Sequence, residues 1–319
     1  MNDVISALVE HHAFVIGGHQ GPDGDSLGSA LALAFGLEQL GKQARVVSPD
    51  PIPSLYRVLP GIETVQRVAD LPSGYPVAVL VECSSLERSG LQGFEGRLVV
   101  NIDHHSQNPL FGDVNWIDPE ASAVGVMIHR TLHALGVEIT PDIASLIYVA
   151  ILTDTGSFRF SNTNPEAFRI CAELLECGAD PAPLATAMYD NVPAAKARLL
   201  GRALMSLEFE SEGNVALMSL PYDAFQEYPG EPDTEGIVNQ AQAIEYVDVS
   251  ILFKEMDPGR FRVSLRANDS ADVAAVAAAF GGGGHAKAAG CSLDGDFPSV
   301  RKRILGEVDK QLSGGAVSS

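Results

Sequence analysis

Asp103-His104-His105 puts a carboxylate and two imidazoles side by side, directly after the apolar run Leu98-Val99-Val100-Asn101-Ile102. A second cluster, His19-Gln20-Gly21-Pro22-Asp23-Gly24-Asp25-Ser26, follows another apolar run, Ala13-Phe14-Val15-Ile16. Charges at the ends of buried strands persist mainly when paired or bound to a cation, so two such clusters point to one shared metal site. Six positions can join it: His19, Asp23, Asp25, Glu82 after Val77-Ala78-Val79-Leu80-Val81, His104, and Asp154 after Ala150-Ile151-Leu152-Thr153. Mixed imidazole and carboxylate donors suit Mn²⁺, Fe²⁺, Co²⁺ or Zn²⁺, and the oxygen-rich balance favours Mn²⁺ or Mg²⁺. Carboxylates shared by two ions would hold them about 3.5–4 Å apart, the spacing of two-metal phosphoryl chemistry. Taken singly, each segment reads as a polar turn or a helix stop. Their joint occurrence at the ends of apolar elements argues for metal.

A second signal is Gly281-Gly282-Gly283-Gly284-His285, after an apolar helical segment from Ala271 to Phe280. Four glycines cost backbone entropy and add nothing to a core, so their use is close backbone approach to a ligand, with N–H groups forming an anion nest. In Arg260-Phe261-Arg262-Val263-Ser264-Leu265-Arg266, strand alternation puts Arg260, Arg262, Ser264 and Arg266 on one face, able to grip phosphate. Arg159, five residues past Asp154, is a further phosphate candidate.

These residues need a scaffold. Strands are expected at 13–18, 44–48, 77–82 and 98–103, with helices near 26–41, 122–136, 141–152 and 165–177. Near-continuous apolar strands alternating with helices imply an α/β fold, a mostly parallel sheet covered on both faces, with ligands beyond the carboxyl ends of the strands. Ser26 is placed to cap the helix after the acidic loop. The composition changes after a Gly/Pro-rich break at 178–195. Strands at 205–211, 214–220, 247–254 and 260–267, with helices at 271–280 and 297–312, make a second, smaller α/β domain. The expected division is 1–185, a connector over 186–208, and 209–319, ending in a frayed tail. Of 319 residues, 46% are apolar and 19% charged, which suits a globular enzyme. The net charge of −20 repels long polyanions, so a processive nucleic-acid tracker is disfavoured while a short nucleotide is allowed. No apolar run could span a bilayer, and Met1-Asn2-Asp3-Val4 does not start a signal peptide. Cys83, Cys171, Cys177 and Cys291 form no CxxC pair, as expected of reduced thiols in the cytoplasm.

The chain resembles the DHH phosphoesterase superfamily, in the branch of nano-RNA exonucleases, pAp (3'-phosphoadenosine-5'-phosphate) phosphatases and cyclic-di-AMP phosphodiesterases. The resemblance rests on 19–29, Asp103-His104-His105, Thr153-Asp154-Thr155-Gly156, Val263-Ser264-Leu265-Arg266 and the run from Gly281 to Gly290. It implies two divalent ions, Mn²⁺ with Mg²⁺ or Co²⁺ as alternatives. His19 and Asp23 would hold one, and Asp25, His104 and Asp154 the other. Asp103 would support the site, His105 would contact the scissile phosphate, and Gly282, Gly283, Gly284 and His285 would hold substrate across an interdomain cleft. One departure is Glu82, where the family presents an Asp that bridges both ions. The implied substrates are short oligoribonucleotides, pAp or cyclic dinucleotides, with no long nucleic acid and no membrane, and a homodimer is left open. The competing readings are a manganese pyrophosphatase of the same superfamily and a catalytically impaired nucleotide sensor.

Overall fold

The computed structural model describes residues 1–190, 192–228, 234, 236–268 and 271–314. The chain forms two compact units, Met1–Asn191 and Val192–Ser319.

The first unit runs α1 (Asn2–Glu10), β1 (Ala13–Gly17), α2 (Gly24–Gln39), β2 (Gln43–Ser48), β3 (Gln66–Arg67), β4 (Val77–Val81), β5 (Leu98–Asp103), β6 (Val114–Ile117), α3 (Val124–Ala134), α4 (Pro141–Asp154), α5 (Pro165–Glu176) and α6 (Pro181–Ala185). Its sheet is wholly parallel, in the order β3-β2-β1-β4-β5-β6. The chain winds outward from β1 in one direction and from β4 in the other. The topological switch point therefore lies beyond the ends of β1 and β4, where open α/β sheets bind ligands.

Alternate residues divide the two faces of the sheet. Phe14, Ile16, Val77, Val79, Val81 and Ile102 enter the main core with α1 to α5. Val15, Ala78 and Leu80 face a smaller cluster closed by Leu71, Leu86, Leu91 and Phe94 from irregular segments. The helices thus crowd one face, because the connections from β3 to β4 and from β4 to β5 contain no α-helix.

Helices α2 and α4 are apolar nearly all round and buried, as expected of central helices. They run antiparallel and close. A Cβ on Gly28 would stand 2.4 Å from the Leu146 carbonyl, and one on Gly24 would stand 2.5 Å from Thr153 Oγ1. This packing brings the start of α2, with Asp25, beside the end of α4, with Asp154. The cap of α2 is Asp23, not Ser26. Asp23 Oδ1 accepts from the Ser26 backbone N–H at 2.9 Å, since the helix begins two residues earlier than the apolar pattern suggests.

The second unit runs α7 (Ala194–Met205), β7 (Glu208–Glu210), β8 (Val215–Leu220), α8 (Tyr222–Gln226), α9 (Ile237–Gln242), β9 (Val249–Asp257), β10 (Arg260–Ala267), α10 (Val273–Ala278), β11 (Gly283–His285), β12 (Ala288–Asp294) and α11 (Phe297–Gly314). Its sheet has the order β11-β12-β10-β9-β8-β7 and is antiparallel except for β8 beside β9. Helices α10 and α11 pack on one face, and α7, α8 and α9 on the other. The expected connector 186–208 is divided. Residues 186–190 form a π-helical turn after α6, whereas Leu199 and Ala203 of α7 are buried in the second unit. The tail residues 315–319 lie outside the described residues.

The glycine run is not an open loop. Gly283–His285 form edge strand β11, paired with β12. A Cβ on Gly282 would meet the Gly290 carbonyl at 2.2 Å, and one on Gly284 the Ala288 carbonyl at 2.4 Å. Two of the four glycines are therefore required by strand packing alone.

Candidate active site

Three parallel strands deliver the first unit's cluster. His19 stands two residues past β1, Glu82 directly follows β4, and Asp103 ends β5. Two helix ends complete it, with Asp25 in the first turn of α2 and Asp154 closing α4. Ligand atoms of Asp25, Glu82, His104 and Asp154 all lie within 4.8 Å of one another. His19 Nε2 faces Asp23 Oδ2 at 3.4 Å. Glu82 acts electrostatically on His19, Asp25, His104 and Asp154, so its charge is felt by both groups.

The imidazoles are set by their far sides. His104 Nδ1 lies 2.9 Å from the Ala121 carbonyl and His19 Nδ1 2.8 Å from the Gln20 carbonyl. A carbonyl only accepts, so each ring places its N–H on Nδ1 and turns Nε2 to the cluster. This is the pattern by which outer partners orient metal-binding histidines. His104 Nε2 then faces Glu82 Oε2 at 3.4 Å and Asp154 Oδ2 at 3.7 Å.

Asp25 is buried, and three donors hold its carboxylate. The Val124 and Gly125 N–H groups, at the start of α3, donate at 2.6 and 2.9 Å, and Ser29 Oγ donates at 2.8 Å. A helix N-terminus favours a negative charge there. Asp154 Oδ2 accepts from Asn162 Nδ2 at 3.0 Å.

Burial pushes the Asp25 carboxyl well up, with Glu82 and Asp154 adding to it. Asp154 is pushed up to about 7 by burial, reinforced by Glu82 and Asp23 and opposed by His104. Burial works against a charge on His104, but Glu82, Asp154 and Asp25 outweigh it and carry it to about 11. The crowded negative charge thus retains protons that a bound cation would displace.

Glu82 decides whether a metal fits. It is buried, and its Oε2 has no hydrogen-bond partner. Once the proton on His104 Nε2 is displaced, with the other N–H committed to Ala121, that nitrogen and the Glu82 oxygen stand lone pair to lone pair. A divalent ion satisfies both, and the imidazole and carboxylate donors suit one. The backbone of Glu82 has φ of 52°, a left-handed conformation uncommon for a long side chain. Asp tolerates that conformation better, so this chain carries some backbone strain to present a longer carboxylate.

Asp103 does not turn to the cluster. Fully buried, it accepts from His105 Nδ1 at 2.8 Å, from the His104 N–H at 2.9 Å and from Asn108 Nδ2 at 2.7 Å. Burial opposes its charge, yet the bonds from His105 and Asn108 prevail and hold its carboxyl below the usual range. The bond to Asp103 in turn raises His105 and fixes its tautomer, leaving Nε2 available. Arg159 is exposed, and its Nε donates to the Gly156 carbonyl at 2.8 Å. Ser29, Asn108 and Asn162 support the cluster without having been singled out in the sequence. Ser29 had a usable signal, being four residues from Asp25 on one helix.

In the second unit, Arg262, Ser264, Gly281, Gly282, Gly290 and Ser292 line a groove of about 370 Å³. Arg266 lies on the same strand face, opposite Ala288. The Lys287 ammonium donates to the Asn268 carbonyl. The His285 side chain lies outside the described residues.

Known proteins share this architecture. Residues 13–151 match the N-terminal domain of the DHH family, and 222–314 match the DHHA1 domain. A protein of Thermus thermophilus named bifunctional oligoribonuclease and PAP phosphatase NrnA is 38% identical over 299 residues, 92% of this chain and 89% of that protein. The chain belongs to the DHH phosphoesterase family. It is a hydrolase of phosphoester bonds. NrnA of Bacillus subtilis is 26% identical, covering 91% of this chain and 92% of its own. The crystal structure of an exopolyphosphatase-related protein from Bacteroides fragilis superposes with a TM-score of 0.89 at 26% identity, over 98% of this chain and 97% of that one. RecJ of Thermus thermophilus, solved with Mn²⁺, shares the fold with a TM-score of 0.54 at 17% identity, over 97% of this chain and 54% of RecJ. Among the described residues, no helix is long and apolar enough to cross a membrane.

Proposed function

We propose that this chain degrades short oligoribonucleotides to nucleoside monophosphates and also hydrolyses pAp, using two divalent ions, preferably Mn²⁺. The observation that carries the reading is the buried, unpartnered Glu82 oxygen amid inward-facing imidazoles and carboxylates. The similarity to Thermus NrnA over 92% of the chain supports the substrate class.

In this reading His19 and Asp23 would hold one ion and Asp25, His104 and Asp154 the other, with Glu82 within reach of both groups. Bound there, the ions supply Lewis-acid charge and lower the pKa of water towards neutrality. Asp103 favours the charged form of His105 and orients the ring, so that Nε2 can donate to a phosphoryl oxygen as negative charge develops. Asn108 holds Asp103 in turn. Arg159 gives a rim contact to phosphate. The second unit binds the substrate end through Arg262, Arg266, Gly282, Gly283, Gly284 and His285. Its limited groove, with the overall negative charge, favours short substrates over long strands. The free thiols of Cys83, Cys171, Cys177 and Cys291 suit a cytoplasmic enzyme.

The test is a turnover panel in Mn²⁺ with pApA, pAp, cyclic-di-AMP and pyrophosphate. Turnover of pApA and pAp well above the other two is expected. Turnover confined to pyrophosphate, or nucleotide binding without product, contradicts the proposal.

A further inference from the structure

A second group of side chains whose ligand atoms could hold a metal lies outside the cluster already described. His129 and His133 are one turn apart on α3, and Glu173 reaches them from α5. Their ligand atoms form a small triangle. His129 Nε2 and His133 Nε2 are 3.1 Å apart, and Glu173 Oε1 is 3.3 Å from the first and 2.7 Å from the second. We propose that His129, His133 and Glu173 form an accessory site for a transition-metal cation, Zn²⁺ above all, which clamps α3 to α5.

The geometry suits an ion in two respects. The three atoms lie on a circle of radius about 1.8 Å, so an ion at about 2.0–2.1 Å from each stands roughly 1 Å off their plane. That is close to a tetrahedron with its fourth position open to water. The polar contacts are also unresolved without an ion. If His133 donates to Glu173, its single Nε2 proton cannot also serve His129. If both rings donate to Glu173, two N–H groups confront each other at 3.1 Å. A cation satisfies all three lone pairs together.

The surroundings agree. The His129 ring is buried, and burial pushes its pKa down, so it is neutral and able to bind metal. The His133 and Glu173 side chains are 50% and 40% exposed, which gives an ion a way in. Two imidazoles and one carboxylate are richer in nitrogen than the first cluster, and this balance selects Zn²⁺ over Mn²⁺ or Mg²⁺. The site is separate. His129 and His133 lie about 8 and 14 Å along α3 from Val124, whose N–H holds Asp25.

The test uses the full chain saturated with Mn²⁺, titrated with Zn²⁺ under equilibrium dialysis and elemental analysis. The intact protein should take up one Zn²⁺ per chain, with a rise in Tm. His133→Ala and Glu173→Gln, both at half-exposed positions, should each weaken uptake at least tenfold, abolish the Tm rise and leave Mn²⁺-dependent turnover unchanged. Zinc-edge anomalous diffraction should place the ion between α3 and α5. Equal Zn²⁺ uptake by the intact chain and both variants, or no uptake beyond the Mn²⁺-filled sites, overturns the proposal and leaves a hydrogen-bonded histidine pair.

Discussion

Replacing Asp103 by asparagine isolates one function of the DHH segment. The carboxylate receives His105 Nδ1, the His104 N–H and Asn108 Nδ2 at 2.7 to 2.9 Å. An asparagine can keep its oxygen towards the two histidine donors only by turning its amide nitrogen to Asn108. Asn108 cannot flip freely to receive it, because its Nδ2 also donates to Asn101 Oδ1 at 2.8 Å and its Oδ1 accepts from the Leu110 N–H at 2.9 Å. The negative charge that favours the protonated form of His105 is lost in any orientation. A hydrogen bond to a charged group is worth about 1.5–3 kcal/mol. If that stabilisation matters mainly as charge develops on phosphate, kcat falls roughly 10- to 150-fold, at about 1.4 kcal/mol per decade. Asp103 is not among the converging ligand groups, and both its oxygens are bonded elsewhere, so bound Mn²⁺ should stay constant. Steady-state kinetics on pAp with elemental analysis reads both quantities. The alkaline limb of the pH–rate profile should also move to lower pH, since His105 would lose its proton sooner. An unchanged kcat, or a loss of rate explained by lost metal, would refute this role.

Other outcomes follow from the same geometry. In the metal-free chain, Asp154 at about 7 keeps a proton that the unfolded chain loses near 3.8, so between those values the folded state binds more protons and its stability falls as pH rises. Metal must expel that proton, so the Tm gained on adding Mn²⁺ should grow from pH 6 to pH 8, and a gain that shrinks would contradict it. Gly28→Ala places a methyl 2.4 Å from the Leu146 carbonyl, so overpacking should cost about 1–3 kcal/mol and lower the Tm by several degrees in calorimetry. Arg266→Ala should raise KM for pApA with kcat nearly unchanged, and an unaltered KM removes it from the substrate path.

The sequence was most legible where the structure is most buried. Strands β1, β4 and β5 are apolar runs read within a residue of their ends, and the clusters beyond them were visible for that reason. Strand β6, Val-Asn-Trp-Ile, is half-buried at a sheet edge and shows no clear period. Strand β12 does alternate, with Ala289, Cys291 and Leu293 buried, but small residues hid the pattern. Without β12 as partner, β11 read as a loop. Near the site, Ser29 follows from helical spacing, whereas Asn108 and Asn162 act from loops whose course only tertiary structure sets. The pair His129 and His133 had readable spacing, but Glu173 lies 40 residues on, in another helix.

Crystals of the full chain grown with Mn²⁺ and measured at the manganese absorption edge address the main claim directly. Two anomalous peaks about 3.5–4 Å apart are expected, with Glu82 contacting both, His19 and Asp23 on one side and Asp25, His104 and Asp154 on the other. A single peak would contradict the two-ion site, and two peaks that leave Glu82 without a metal contact would contradict its role between them.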